Sequence, residues 1–211
     1  MQTNAADDGL TPQLLAELKI LVRTPALLVA CNDGGTLCSA EGSSSESLPL
    51  ASAAIARALE VLREGWDAGA SSYAVAYDSP DLDAAVLHIG LSGVLDVSDQ
   101  RFLDTVTAVE RELRVGPTVF RYRYRYDDGL PGLEGGFHIC TTWLIEAYVA
   151  VGRIEEAWDL FDQLVNLFGP TGLLPEEYDP GTETHLGNHP QAYSHLGFIR
   201  CARLLDALSR N

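Results

Sequence analysis

The sequence predicts an all-α protein built from helix hairpins, with long loops and at most a short β hairpin. Three observations carry that expectation. Apolar residues recur at spacings of three and four, most clearly as Ile154, Ala157, Trp158, Phe161, Leu164, Val165 and Phe168, which puts them on one face of a helix. One stretch alone alternates as a strand does, 119–126, where Val119 and aromatic residues interleave with Arg121, Arg123 and Arg125. Gly116-Pro117, Pro131-Gly132, Gly169-Pro170 and Pro180-Gly181 fall between the periodic segments, so they end helices rather than interrupt them.

The elements follow in order. Residues 12–22 suggest a short helix, and the run Gly-Ser-Ser-Ser-Glu-Ser at 42–47 reads as a flexible joint. Residues 1–47 are therefore set apart as an N-terminal extension, and 48–211 as the main domain. The run 26–31 ends like a lipoprotein cleavage box, but Asp7, Asp8 and Glu17 precede it, Lys19 and Arg23 interrupt the apolar stretch and Pro25 shortens it, which argues against a signal peptide. Ala-rich patterns over 48–62 and 82–91 predict two weaker helices. Phe102, Val106, Val109 and Leu113 mark the next, with Ser98 or Asp99 as its cap. Residues 119–126 read as a hairpin arm or extended loop, which cannot form a sheet alone. Phe137, Cys140, Leu144 and Ala147 mark a helix ended near Gly152, the segment 154–168 follows, and 191–208 is the last helix.

Thirty acidic residues against fourteen lysines and arginines give a formal charge of -16, which repels nucleic-acid phosphates and anionic membrane surfaces. A neutral ligand suits this balance, and neither nucleic acid nor membrane is expected as a partner. No stretch approaches the ~20 apolar residues of a membrane span. Cys31, Cys38, Cys140 and Cys201 form no CxxC pair, so neither a metal cluster nor a thioredoxin motif is supported. Cys140 and Cys201 fall in apolar helical patterns and read as buried thiols, which favours a reduced, cytoplasmic compartment. His185 and His189 stand four apart, but Gly187 and Pro190 oppose a helix there, and no metal site is expected.

The segment between the last two helices is longer than a connecting turn requires. It brings together Glu176, Glu177, Tyr178, Asp179, Asn188, Gln191, Tyr193 and His195, the polar and aromatic groups that sugar hydroxyls and ring faces bind. Two adjacent glutamates are, taken alone, most often solvated surface. Inverting glycoside hydrolysis needs two carboxyl groups roughly 6.5–9.5 Å apart, one protonated and one ionised to activate water. A carboxylate on a loop held by helices meets half of that requirement.

The order of residues adds to this. The stretch from Gly129-Leu130-Pro131-Gly132-Leu133-Glu134-Gly135-Gly136-Phe137 through Trp143-Leu144 to Gly152-Arg153-Ile154-Glu155-Glu156-Ala157 resembles bacterial glycoside hydrolase family 15, of the glucoamylase and trehalase type. The run Gly172-Leu173-Leu174-Pro175-Glu176-Glu177-Tyr178-Asp179-Pro180, followed by Gly187-Asn188 and Pro190-Gln191-Ala192-Tyr193-Ser194-His195-Leu196, resembles it too, as do Gly65-Trp66-Asp67 and 76–84. The resemblance implies that 48–211 is the C-terminal half of a six-hairpin α/α toroid and that 1–47 is a degenerate remnant of the preceding barrel helices. It implies Glu176 as general base, accepting a proton from the attacking water, and it places Arg123, Glu134, Phe137 and Glu177 against the sugar. The family's general acid follows a tryptophan ahead of the helix that begins near 48. Asp33-Gly34-Gly35-Thr36-Leu37-Cys38 occupies that place without the Trp-Glu pair, and Glu41 is the nearest carboxylate for the role.

The implied activity is inverting hydrolysis of an α-glucoside, whether trehalose, a maltooligosaccharide or another, without a cofactor. A chain that lacks its acid would be truncated and weakly active, or a catalytically silent carbohydrate-binding relative. A half-barrel would also expose apolar helix flanks, for which a second copy or a complementary chain is the expected partner. The rival reading comes from 152–161, which also looks like a pentatricopeptide or tetratricopeptide helical repeat, an interaction module. Such arrays need at least about three copies, and no second copy is found.

Overall fold

The computed structural model describes residues 47–122 and 134–210. Its helices are α1 (Ser47–Glu64), α2 (His88–Leu91), α3 (Gln100–Leu113), α4 (His138–Ala150), α5 (Ile154–Val165) and α6 (Ala192–Ser209), with a 3-10 turn at Ala84–Leu87. The mostly helical architecture is the predicted one and is consistent with part of an α/α toroid.

The core forms around α4. Its Leu144, Ile145, Ala147 and Tyr148 are all fully buried, and a helix that is apolar all round must be enclosed on every side. Helices α3, α5 and α6 and the 3-10 turn pack against it. The face read from the sequence is buried on α3, at Phe102, Val106, Val109 and Leu113; on α5 Ala157, Phe161 and Leu164 are buried as read, Leu160 joins them, and Val165 is exposed. Each such side chain contributes about 1.5–3 kcal/mol by leaving water. Phe198 of α6 stacks on Phe161 at 5.0 Å and meets Phe168 edge-on at 4.7 Å. Arg153, at the start of α5, lies over the Tyr148 ring at 4.4 Å and binds Glu110 at 2.8 Å, which ties α3, α4 and α5 together. The thiols of Cys140 and Cys201 are unpaired and buried, as expected.

Three local readings change. The Ala-rich pattern at 82–91 folds as a 3-10 turn followed by the single turn α2, not one helix. Asp83 caps the 3-10 turn by accepting from the Ala85 N–H at 2.8 Å, and Gly90 lies flat against the Phe102 ring where a side chain would collide. The helix at 154–168 ends as α-helix at Val165 and continues as turns to Phe168. Among the described residues of the alternation at 119–126, strand is confined to Val119. Beyond Val119 the chain turns, so that Phe120 donates to the Leu113 carbonyl and Arg121 accepts from Ala84; Arg123 to Tyr126 lie outside the described residues.

The β structure extends beyond one hairpin. Strands β1 (Trp66–Asp67) and β2 (Ser72–Tyr73) pair antiparallel, and β3 (Arg114–Val115), β4 (Thr118–Val119), β5 (Gly136–Phe137), β6 (Glu177–Asp179) and β7 (Thr184–Leu186) join in that order as an antiparallel ribbon. Strands of two or three residues are too short to show a period. The ribbon nevertheless brings the start of α4 beside the segment that precedes α6.

Candidate active site

Glu176 stands immediately before β6, and four backbone polar groups of residues 174–176 fix it there. The Leu174 N–H donates to His195 Nε2 at 3.1 Å and the Leu174 carbonyl accepts from the Gln191 N–H at 3.0 Å. The Pro175 carbonyl accepts from Ser194 Oγ at 2.7 Å, and the Glu176 N–H donates to the Asn188 carbonyl at 2.9 Å. His195 Nδ1 meets the Gln191 carbonyl at 2.8 Å. With Nε2 accepting, that geometry assigns the neutral tautomer carrying its proton on Nδ1. Leu174 and Pro175 are buried, so the loop is pinned to the first turn of α6 by satisfied backbone groups.

The carboxylate is held as firmly as the backbone. Glu176 Oε2 accepts from the Asn188 backbone N–H at 3.1 Å and from Asn188 Nδ2 at 2.8 Å. Gly187, at φ +72°, makes room for it: a Cβ there would come within 2.8 Å of both Oε2 and Cβ of Glu176. The left-handed backbone and the close approach both require glycine.

Glu177 faces elsewhere. It pairs with Phe137 across β5 and β6, and its Oε2 accepts from the Gly135 N–H at 2.8 Å. Phe137 is half-buried at the N-cap of α4. Glu134 is exposed and takes the Tyr122 hydroxyl at 3.4 Å. Arg121 pairs at 3.1 Å with Asp83. The ribbon thus brings Glu176, Glu177 and Phe137 to the place where β5 and β6 pair, with Glu134 two residues before β5. Arg123 and Glu41 lie outside the described residues.

Beneath this pairing is His138, the first residue of α4, whose backbone N–H donates to the Glu176 carbonyl at 3.1 Å. Its ring is fully buried, with neither nitrogen bonded among the described residues. Burial, and then His185 and His195, lower its pKa to about 4, which keeps the ring neutral at neutral pH. Asp179, at the far end of β6, is held below its ordinary value by Thr182 and the Gly181 N–H.

Sequence reasoning singled out Glu176, Glu177, Glu134 and Phe137 and counted Asn188 among the loop's sugar-binding groups, but it did not foresee Asn188 as a partner of Glu176 and left Gly187 and His138 without roles. Asn188 is twelve residues from Glu176, and only the register of the β6–β7 hairpin makes them neighbours. No group of three metal-ligating side chains occurs among the described residues, nor a helix long and apolar enough to cross a membrane. A groove of about 630 Å³ between α1, β2 and the 3-10 turn, lined by Val61, Tyr73, Val75 and Val86, includes none of the site residues. No carboxylate is among the residues that line it.

The model of the glycosyl hydrolases of family 15 matches residues 26–203. Among curated proteins, the chain is 40% identical over 147 residues to a trehalase of Thermoplasma volcanium, covering 70% of this chain and 23% of that protein. It is 36% identical over 172 residues to a trehalase of Mycobacterium tuberculosis, covering 81% and 25%. The chain therefore spans about a quarter of the length of these relatives. A solved wild-type glycosidase superimposes with a TM-score of 0.69 at 19% identity, over 90% of this chain and 51% of that one. A glycosidase variant in complex with glucose gives 0.68 at 20% identity, over 85% and 49%.

Proposed function

The chain belongs to the glycosyl hydrolases of family 15, and on that footing we propose that it carries the general base of an inverting α-glucoside hydrolase, with Glu176 as that base. The supporting observation is the two-donor hold of Asn188 on Glu176 Oε2. Two N–H donors on one oxygen fix the orientation of the carboxylate, which a base acting on a positioned water needs.

In the reaction, water attacks the anomeric carbon from the face opposite the leaving group and gives its proton to Glu176, while the bond from that carbon to the glycosidic oxygen breaks. The leaving oxygen takes a proton from a second carboxyl group, the role assigned to Glu41. Glu134, Phe137, Glu177 and Arg123 are the proposed sugar contacts. Trehalose is the first substrate to test, since relatives bear the name trehalase; maltooligosaccharides are the second. Residues 48–211 are the proposed catalytic half-domain and 1–47 its extension, in a cytoplasmic protein. In this reading the isolated chain is weakly active. Its partner is a second copy or a complementary chain, received on the exposed Tyr193, Leu196 and Ile199 of α6.

Glucose release from trehalose and maltotriose, followed by proton NMR, tests the reading. From maltotriose the released glucose should be the β anomer, and from trehalose the two anomers should appear in equal amounts, because the leaving glucose keeps its α configuration; Glu176→Gln should lower kcat by about 10²–10⁴. Sugar binding without hydrolysis in the parent chain would favour the catalytically silent relative instead.

A further inference from the structure

Glu176 and Asn188 close a ring of three hydrogen bonds between residues on opposite sides of the β6–β7 hairpin. The Glu176 N–H donates to the Asn188 carbonyl at 2.9 Å, and the Asn188 N–H and Nδ2 return to Glu176 Oε2 at 3.1 and 2.8 Å. Both donors fall on the same oxygen. An oxygen with two N–H partners is anchored and is the weaker proton acceptor of the pair. Gly187 beside it excludes any side chain that would push the carboxylate away. A backbone bond alone would hold the loop; the added side-chain bond fixes the torsion of the carboxylate itself.

We propose that Asn188 is a positioning residue for Glu176, holding Oε2 so that the proton of the attacking water is received at Oε1. This rests on the reading of Glu176 as general base. In the step, an O–H bond of water breaks and its proton passes to Oε1. The water oxygen bonds to the anomeric carbon, and the leaving group departs with its bonding electrons. Asn188 exchanges no proton and touches no reacting atom. A carboxylate turned by about 1 Å is expected to lose up to roughly 10²-fold in rate while sugar binding is unchanged.

The test uses the full 211-residue chain with α-glucosyl fluoride. Fluoride leaves with little need of protonation, so turnover reports on the base and not on the acid. Asn188→Ala keeps the backbone donor and removes the side-chain donor. Asn188→Asp keeps the size and shape of the side chain but replaces the donor with a second negative charge. Both variants should melt cooperatively, keep KM within about twofold and lose about 10–100-fold in kcat, with Asn188→Asp no faster than Asn188→Ala. A packing role for Asn188 predicts that the isosteric aspartate restores the parent rate, and that result overturns the proposal. If the parent chain does not turn over the fluoride, the hydrolase reading fails for the isolated protein. The positioning claim is then decided by crystal structures of the parent and Asn188→Asp. A Glu176 carboxylate displaced in the variant upholds it, and one in the same place overturns it.

Discussion

His138 shows what a single buried side chain does to the pH response of the protein. Its folded pKa of about 4 lies below the ordinary 6.5 of histidine, with burial the first cause. Between those two values the unfolded chain takes up a proton that the folded chain refuses, so stability falls as pH drops through this window and is fully present above it. The stabilisation lost between pH 7.5 and 4.5 is about 2 kcal/mol at roughly 1.4 kcal/mol per unit. Urea denaturation of the parent and of His138→Leu should show that difference, with the variant flatter across the window. Carboxylates held ionised, Asp99 by Arg101 and Asp179 by Thr182, also favour the folded state at higher pH, and they are common to both proteins. Equal slopes would refute the assignment. At this scale Glu176 was legible because a family motif surrounds it. His138 was not, since a histidine's partners are set by what packs over it.

At the scale of elements, α3 shows how the sequence specifies a boundary. Of the two cap candidates, Asp99 accepts from the Arg101 N–H at 2.9 Å, while Ser98 turns back to Asp96 through its hydroxyl at 2.6 Å. Asp99→Ala is expected to cost about 1 kcal/mol of stability, measured by thermal melting, and Ser98→Ala far less. The faces of α3 and α5 were readable because burial on one side imposes the 3.6-residue period. The 82–91 segment was not, because Ala-rich residues suit a 3-10 turn as well as a helix and the Phe102 ring against Gly90 decides between them. Strands of two or three residues carry no period, so the ribbon that builds the site left no mark in the pattern.

For the whole molecule, the last helix presents an unusual surface. Tyr193, Leu196 and Ile199 are 68%, 61% and 53% exposed on one side of α6, while Ser194, Gly197, Cys201 and Leu205 face the core. The chain also matches only about half of the glycosidase structures it resembles. An apolar helix face left to water favours association. Sedimentation velocity should show the parent chain heavier than a monomer at micromolar concentration, and Leu196→Lys with Ile199→Lys should restore the monomer with helix content unchanged. A monomeric parent would refute this use of the face.

The sequence alone determined the helical class, the buried faces of α3 and α4 and most of that of α5, Cys140 and Cys201 as core thiols and Glu176 as the residue of interest. Periodicity and motif are local properties, and they survive without knowledge of distant neighbours. Only the tertiary structure decided that Asn188 holds the carboxylate, that Gly187 yields space to it, that Arg121 serves Asp83, and that His138 lies neutral beneath the site. Those pairings join residues far apart in the chain. Their geometry follows from strand register and helix packing, which no residue encodes by itself.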